Sequence, residues 1–260
     1  MINYFKRIYN ARYFWWSLTK ADLRNKYRRS VLGLLWSLLY PLLITMLMVF
    51  IFGSIFKTDI LDLIPYIYSG FIIWDTISGS FIYGSSSIIS AEAYIKQFSH
   101  PLAIYSLKQT LVLIINTLIS GIGVFAWCGI VKPQNIFYIL VTLPINIILL
   151  FLFSWSITTF SSIINTKFRD FQQMIGLIVQ ALWFISPVYF EKKVYINAHI
   201  DFLIYYNPIA RILDMVRAPF LNGTFPTVTD YMYVIGTIVV FFVIDILLIK
   251  KNEKELIFYI

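Results

Sequence analysis

From Ser30 to Phe56 the chain runs for 27 residues without one acidic or basic side chain, directly after the basic cluster Lys26, Arg28 and Arg29. About 20 mostly apolar residues carry a helix across the hydrocarbon core of a bilayer, and Lys and Arg collect at the cytoplasmic flank. The junction therefore reads as a membrane span with its inner end marked. Composition extends the reading to the whole chain. With 59% hydrophobic and only 13% charged residues among 260, there is more apolar surface than a water-soluble domain could bury. The net charge of +8 does not point to nucleic acid, because the cations are placed by their relation to the apolar runs.

Charge-poor runs predict six helical spans at 31–56, 66–90, 109–131, 136–164, 171–190 and 230–249. They are continuous rather than alternating, so helices are expected and a closed β-barrel is not. Entering the first span from the cytoplasm puts fifteen of the 21 Lys and Arg residues inside: the eight before residue 30, then Lys96, Lys108, Lys167, Arg169, Lys250, Lys251 and Lys254. Lys57, Lys132, Lys192, Lys193, Arg211 and Arg217 fall outside. Both termini are therefore expected in the cytoplasm.

Before the first span, Tyr4, Phe5, Ile8, Tyr9, Ala11, Trp15 and Leu18 recur at spacings of three and four, with charges between them. This predicts an amphipathic helix in residues 1–30, lying in the cytoplasmic interface with Trp15 and Trp16 at headgroup depth and Lys26, Arg28 and Arg29 at its inner edge. After the fifth span, residues 191–229 stay apolar enough to form short external helices that partly re-enter the outer leaflet. One integral domain is expected: the interface helix at 1–30, five spans in 31–190, the external region at 191–229, a sixth span in 230–250 and a tail at 251–260.

The chemistry of the chain is sparse. No Gly-Lys pair occurs, so the sequence holds no phosphate-binding loop of the G-x-x-x-x-G-K-[ST] type. His100 and His199 fall on opposite sides of the proposed membrane and offer no two-histidine metal site. Cys128 is alone. Two carboxylates, Asp75 and Asp245, lie inside spans, where burial of charge is costly and commonly functional. Asp245 sits near an inner end and reads as interfacial. Asp75 heads a stripe of polar and small residues through Tyr83, Ser86 and Ser90, which suits a wet pathway about as well as close helix packing.

The block from Asp22 to Leu42, with Arg28, Arg29, Gly33, Trp36 and Pro41, followed by Phe52-Gly53, resembles the start of the permease subunits of ABC-2-type polysaccharide exporters. Gly70 to Trp74, Ile95-Lys96 with His100-Pro101, Arg169-Asp170, Ser186-Pro187-Val188, and Asn207-Pro208 before Arg217 continue the resemblance in order. Asp75 departs from it, standing where the family more often has an apolar residue, and Ser99-His100-Pro101 replaces a more usual Phe-Pro.

The resemblance implies an all-α, six-span exporter fold that pairs with a second copy of itself and with two cytoplasmic ATP-binding subunits, in the bacterial inner membrane. ATP and Mg would bind those partners, and this chain would be a transport subunit with no cofactor and no catalytic or metal site of its own. The implied cargo is a lipid-linked polysaccharide. O-antigen on polyprenyl diphosphate stands first, with capsule or teichoic acid polymers behind it. Glu92, Tyr94, Lys96, Phe98 and Pro101 map to the segment that docks on the ATPase, with Arg169 and Asp170 as further contacts, and the region 191–229 resembles the external gate, in its helices around 199–221. Asp75, Tyr83, Trp183 and Tyr189 are the expected pathway lining, since aromatic rings give a sugar chain many weak contacts. Two readings from other classes stay open: a membrane-embedded transferase acting on lipid-linked sugars, which calls for clustered carboxylates or a metal site, and an ion-coupled carrier, which calls for more intramembrane charge.

Overall fold

A computed structural model describes residues 2–56 and 60–259; Lys57, placed on the outer side above, falls outside them. Among the described residues every regular element is helical. The main helices are α1 (Ile2–Asn10), α2 (Arg12–Lys26), α3 (Trp36–Phe56), α4 (Ile60–Ser85), α5 (Glu92–Gln97), α6 (Ala103–Val131), α7 (Ile136–Lys167), α8 (Phe171–Ile185), α9 (Lys192–Asn197), α10 (Phe202–Tyr205), α11 (Pro208–Arg217) and α12 (Val228–Leu256). In α3, α4, α6, α7 and α12 the apolar runs are long enough to cross a membrane.

The fifth expected span is shorter than its prediction of 171–190. α8 has 15 residues, or about 22 Å of helix, against a hydrocarbon core of about 30 Å. It ends at Ile185 because Pro187 follows, and the residue before a proline is driven out of helical geometry. Ser186 is accordingly extended, at φ −93° and ψ 144°.

Contacts between helix ends define two layers. At one, Lys132 meets Asp62 at 3.3 Å, Asn135 donates to the Phe220 carbonyl at 3.0 Å, and Arg211 pairs with Asp230 at 3.1 Å. These tie together the starts of α4, α7 and α12 and the region of α11. At the other, Asn165 donates to the Ser85 carbonyl at 3.0 Å and Lys167 to Asn252 at 2.6 Å. Here too the Leu102 and Ala103 amides donate to Glu253 and to the Tyr4 hydroxyl, so α1 and the end of α12 lie in the same layer. α8 starts in this layer, where Arg169 donates to the Tyr259 carbonyl at 2.8 Å.

α4 is the central helix: 67% of its most apolar window is buried, against 17% in α3 and in α12. Trp74 and Ile77 pack there with Ile114 of α6, Phe153 and Ile157 of α7 and Leu213 of α11. Small residues let the helices approach, as membrane helices do without a hydrophobic drive between them. Gly84 faces Thr158, and the Thr158 hydroxyl donates to the Ser80 carbonyl at 3.3 Å.

The N-terminal segment is helical, as the periodicity predicts, but it breaks at Ala11 into two helices, and part of its apolar face is taken by protein while Phe5 and Tyr9 stay exposed. Ile8, Ala11 and Leu18 are buried with Leu102, Leu107, Ile249 and Leu256. Trp15 joins that cluster, its indole donating to the Ile8 carbonyl at 3.1 Å, while Trp16 stays 43% exposed. Periodicity identifies an apolar face; it does not say whether lipid or protein covers it.

Candidate functional site

After α2 the chain has to turn before entering α3, and two left-handed residues do this: Arg29 at φ 67° and Gly33 at φ 51°. The Ser30 hydroxyl accepts from the Gly33 amide at 3.1 Å across the turn. The loop is strapped to α6 at both ends. The Tyr27 and Ser37 hydroxyls each lie 2.9 Å from the Asn116 Oδ1 and close to each other, so one donates to Asn116 directly and the other either to Asn116 or to its neighbouring hydroxyl. Asn116 and Ser120, whose hydroxyl donates to the Ser37 carbonyl, are therefore the residues that fix where the first span begins.

Behind this loop lies a cavity of about 580 Å³. Asp75 and Tyr83 of α4, Lys26 and Trp36 beside the loop, Tyr40 of α3 and Gln109 and Asn116 of α6 line it. Asp75 is exposed and Tyr83 is 60% exposed, so both present their polar ends to this space. A carboxylate, an ammonium, amide groups and three phenols in one intramembrane cavity can exchange hydrogen bonds with a polyhydroxylated chain while the rings stack on it.

Trp183 and Tyr189 lie elsewhere. Their rings meet edge to face at 4.7 Å, and Trp183 also packs on Trp74 at 5.1 Å and Phe71 at 6.0 Å. Tyr189 is only 9% exposed. The four expected pathway residues thus form two groups, joined by Phe71, which lines the Asp75 cavity and touches Trp183. Asp245, read as interfacial from sequence, is 3% exposed, and its Oδ1 has no hydrogen-bond partner among the described residues.

The layer that holds α5 carries a charged and aromatic face. Glu92 and Lys96 pair one turn apart at 2.5 Å. The bond from Lys96 and its charge hold the Glu92 carboxyl below the ordinary carboxylate range, and Arg169 adds a smaller pull, so the two segments influence one surface. Tyr94 and Phe98 are 41% and 46% exposed, and Arg169 and Asp170 are exposed. Pro101 is buried at the foot of α6 instead of standing on that surface. Phe14 of α2 backs the segment, with its ring 5.5 Å from Phe98, and Arg7 donates to the Ser99 carbonyl at 3.3 Å. Arg28 and Arg29 are exposed beside the cavity mouth.

Sequence reasoning missed Asn116, Tyr66 and Arg217. Arg217, named in the resemblance without a role, also falls four residues after Leu213 and eight after Ile209, on the apolar side of α11, which signals burial. Among the described residues no group of three His, Cys, Asp or Glu is placed to hold a metal ion.

Apolar helices joining two end layers around a polar cavity define a multi-pass helical membrane protein. More narrowly, the chain belongs to the ABC-2 type transporter family, whose sequence profile matches residues 13–221. It is 25% identical over 217 residues to the O-antigen export system permease protein RfbA of Klebsiella pneumoniae, covering 84% of this chain and 82% of that one. A second Klebsiella pneumoniae protein of the same name is 26% identical over 209 residues, covering 80% of each. A Myxococcus xanthus protein, again named O-antigen export system permease protein RfbA, is 22% identical over 233 residues, with 89% of each covered.

Proposed function

We propose that this chain is the permease subunit of an ATP-driven exporter that carries a lipid-linked polysaccharide across a bacterial inner membrane, with O-antigen on polyprenyl diphosphate as the first candidate. The observation that carries the reading is the match, over at least 80% of both chains, to relatives named O-antigen export permeases. Two copies would enclose the pathway, with Asp75 and Tyr83 facing it and Trp183 and Tyr189 supporting it through Phe71. The surface of Glu92, Tyr94, Lys96 and Phe98, flanked by Arg169 and Asp170, would dock on a cytoplasmic ATPase subunit, which would supply the phosphate-binding loop of the G-x-x-x-x-G-K-[ST] type that this sequence lacks. The positions of Lys and Arg favour both ends of the chain in the cytoplasm. Capture of the tagged chain from membranes, with the retained proteins identified by mass spectrometry, tests the assignment. An ATP-binding-cassette subunit in equal amount is expected; its absence from the intact, functional complex would contradict the proposal.

A further inference from the structure

Where α8 stops at Ile185, the residues that follow leave main-chain carbonyls without helical partners, and in or near lipid such groups must be met by other donors. Side chains from three helices meet them. The Tyr195 hydroxyl of α9 lies 3.1 Å from both the Phe184 and Ser186 carbonyl oxygens. The Tyr66 hydroxyl of α4 lies 2.9 Å from the Phe190 oxygen and 3.2 Å from that of Pro187. Arg217, the last residue of α11, contributes most: it donates to the carbonyls of Pro187 at 2.6 Å, Val188 at 2.7 Å and Tyr66 at 2.9 Å.

Arg217 is 5% exposed, and among the described residues no carboxylate lies within ion-pairing distance of it. Its guanidinium lies 3.7 Å from the centre of the Tyr66 ring. Gly70, one turn along α4, makes the fit possible, since a Cβ there would run into both the guanidinium and the Val188 carbonyl. A buried cation held by carbonyl dipoles lacks the counter-charge that offsets desolvation, so the arrangement is stable only while all three carbonyls converge. Beside it lies a cavity of about 670 Å³ whose lining holds Glu191 and Asp214, the latter paired with Lys192, together with Lys132, Lys193 and Arg211, so a displaced guanidinium would compete for carboxylates there, with Glu191 a candidate.

We propose that Arg217 is the latch that seats the segment from Ser186 to Arg217 on α4, and that this segment lifts from the bundle when the guanidinium leaves its three carbonyls for the adjoining cavity. That the lifting opens an exit for cargo rests on the exporter reading; the latch itself does not. The two seated elements would part at Val188, which is 0% exposed while Arg217 is in place.

The test is labelling of Val188→Cys by a membrane-impermeant maleimide, in a Cys128→Ser background, on the whole transporter in membranes without ATP or polymer. Ile200→Cys, at a position already 37% exposed, is the reference. Arg217→Lys keeps the charge but cannot bridge three carbonyls, and Gly70→Ala displaces the guanidinium. Each is expected to raise labelling of position 188 about tenfold with position 200 unchanged, a factor of the size expected when a charged hydrogen bond is lost. Labelling of position 188 that matches the parent in both variants overturns the latch. If neither variant assembles, Tyr66→Phe decides, because it removes a single hydroxyl from the same clamp: faster labelling supports the latch and parental labelling overturns it. Failure of polymer export in other assays would strike the exporter reading and leave this result standing.

Discussion

The ring of Phe14 lies 4.5 Å, centre to centre, from the imidazole of His100. Phe14 belongs to the N-terminal helices and His100 to the segment that leads from α5 into α6, so the two are packed into one unit. Tyr4 and Glu253 strengthen the unit by accepting the first amides of α6 from two further directions. Phe14→Ala is therefore expected to lower polymer-stimulated ATP hydrolysis in the purified complex and to cost about 1–2 kcal/mol of stability. Stimulation equal to the parent would place the N-terminal helices outside the coupling route.

Glu92→Arg and Phe98→Ala probe the proposed docking surface. The Glu92 pair with Lys96 is exposed and contributes little to stability, so the melting temperature of Glu92→Arg should stay near that of the parent. Loss of an interface aromatic costs about 2 kcal/mol of binding or more. Both variants should insert normally yet bind the ATPase subunit more weakly in a pull-down titration. Parental affinity in both would move the docking site elsewhere.

The two groups of pathway residues should respond differently to truncation. Tyr83→Ala removes a ring that is 60% exposed in the cavity and should lower export with little change in melting temperature. Trp183→Ala removes contacts to Trp74, Phe71 and Tyr189 and should cost about 2–3 kcal/mol, visible first as a lower melting temperature. The contrast is read from thermal unfolding and surface polymer at matched expression; equal melting temperatures for the two variants would erase the distinction.

Topology gives a third kind of expectation. In a Cys128-free chain, a cysteine at position 200 should react with an impermeant maleimide on intact cells, and one at position 255 only after permeabilisation. Both positions have accessible side chains, so silence at either is a matter of sidedness. Labelling of position 255 on intact cells would invert the assignment.

Most of the span pattern was legible in the sequence because lipid demands continuous apolar helices: α7 lies close to its predicted limits, while α3 starts five residues after 31 and α12 runs seven past 249. Differences arose where a charge lies within a helix. α6 begins at Ala103 and not at 109, with Lys108 buried and paired to Asp22 at 2.5 Å, and α4 takes in Asp62, which pairs with Lys132 at an exposed end. Each partner is distant in sequence, so a charge was read as a span limit. The site was legible only in part. Asp75 and Tyr83 share a cavity because they share a helix face, whereas the strap through Asn116 and the clamp of Tyr66 and Arg217 join residues 29 to 151 positions apart, which periodicity cannot register. The family resemblance correctly indicated the transporter class, and family membership follows from the profile match.

The most direct test of the exporter account is the location of the polysaccharide in cells that lack this chain. Deletion of its gene, followed by separate measurement of surface and intracellular polymer, should show lipid-linked polysaccharide retained inside and lost from the surface, with export restored by the parent gene and only partly by Tyr83→Ala. Full surface polysaccharide in the deletion strain, with none accumulating inside, would contradict the account.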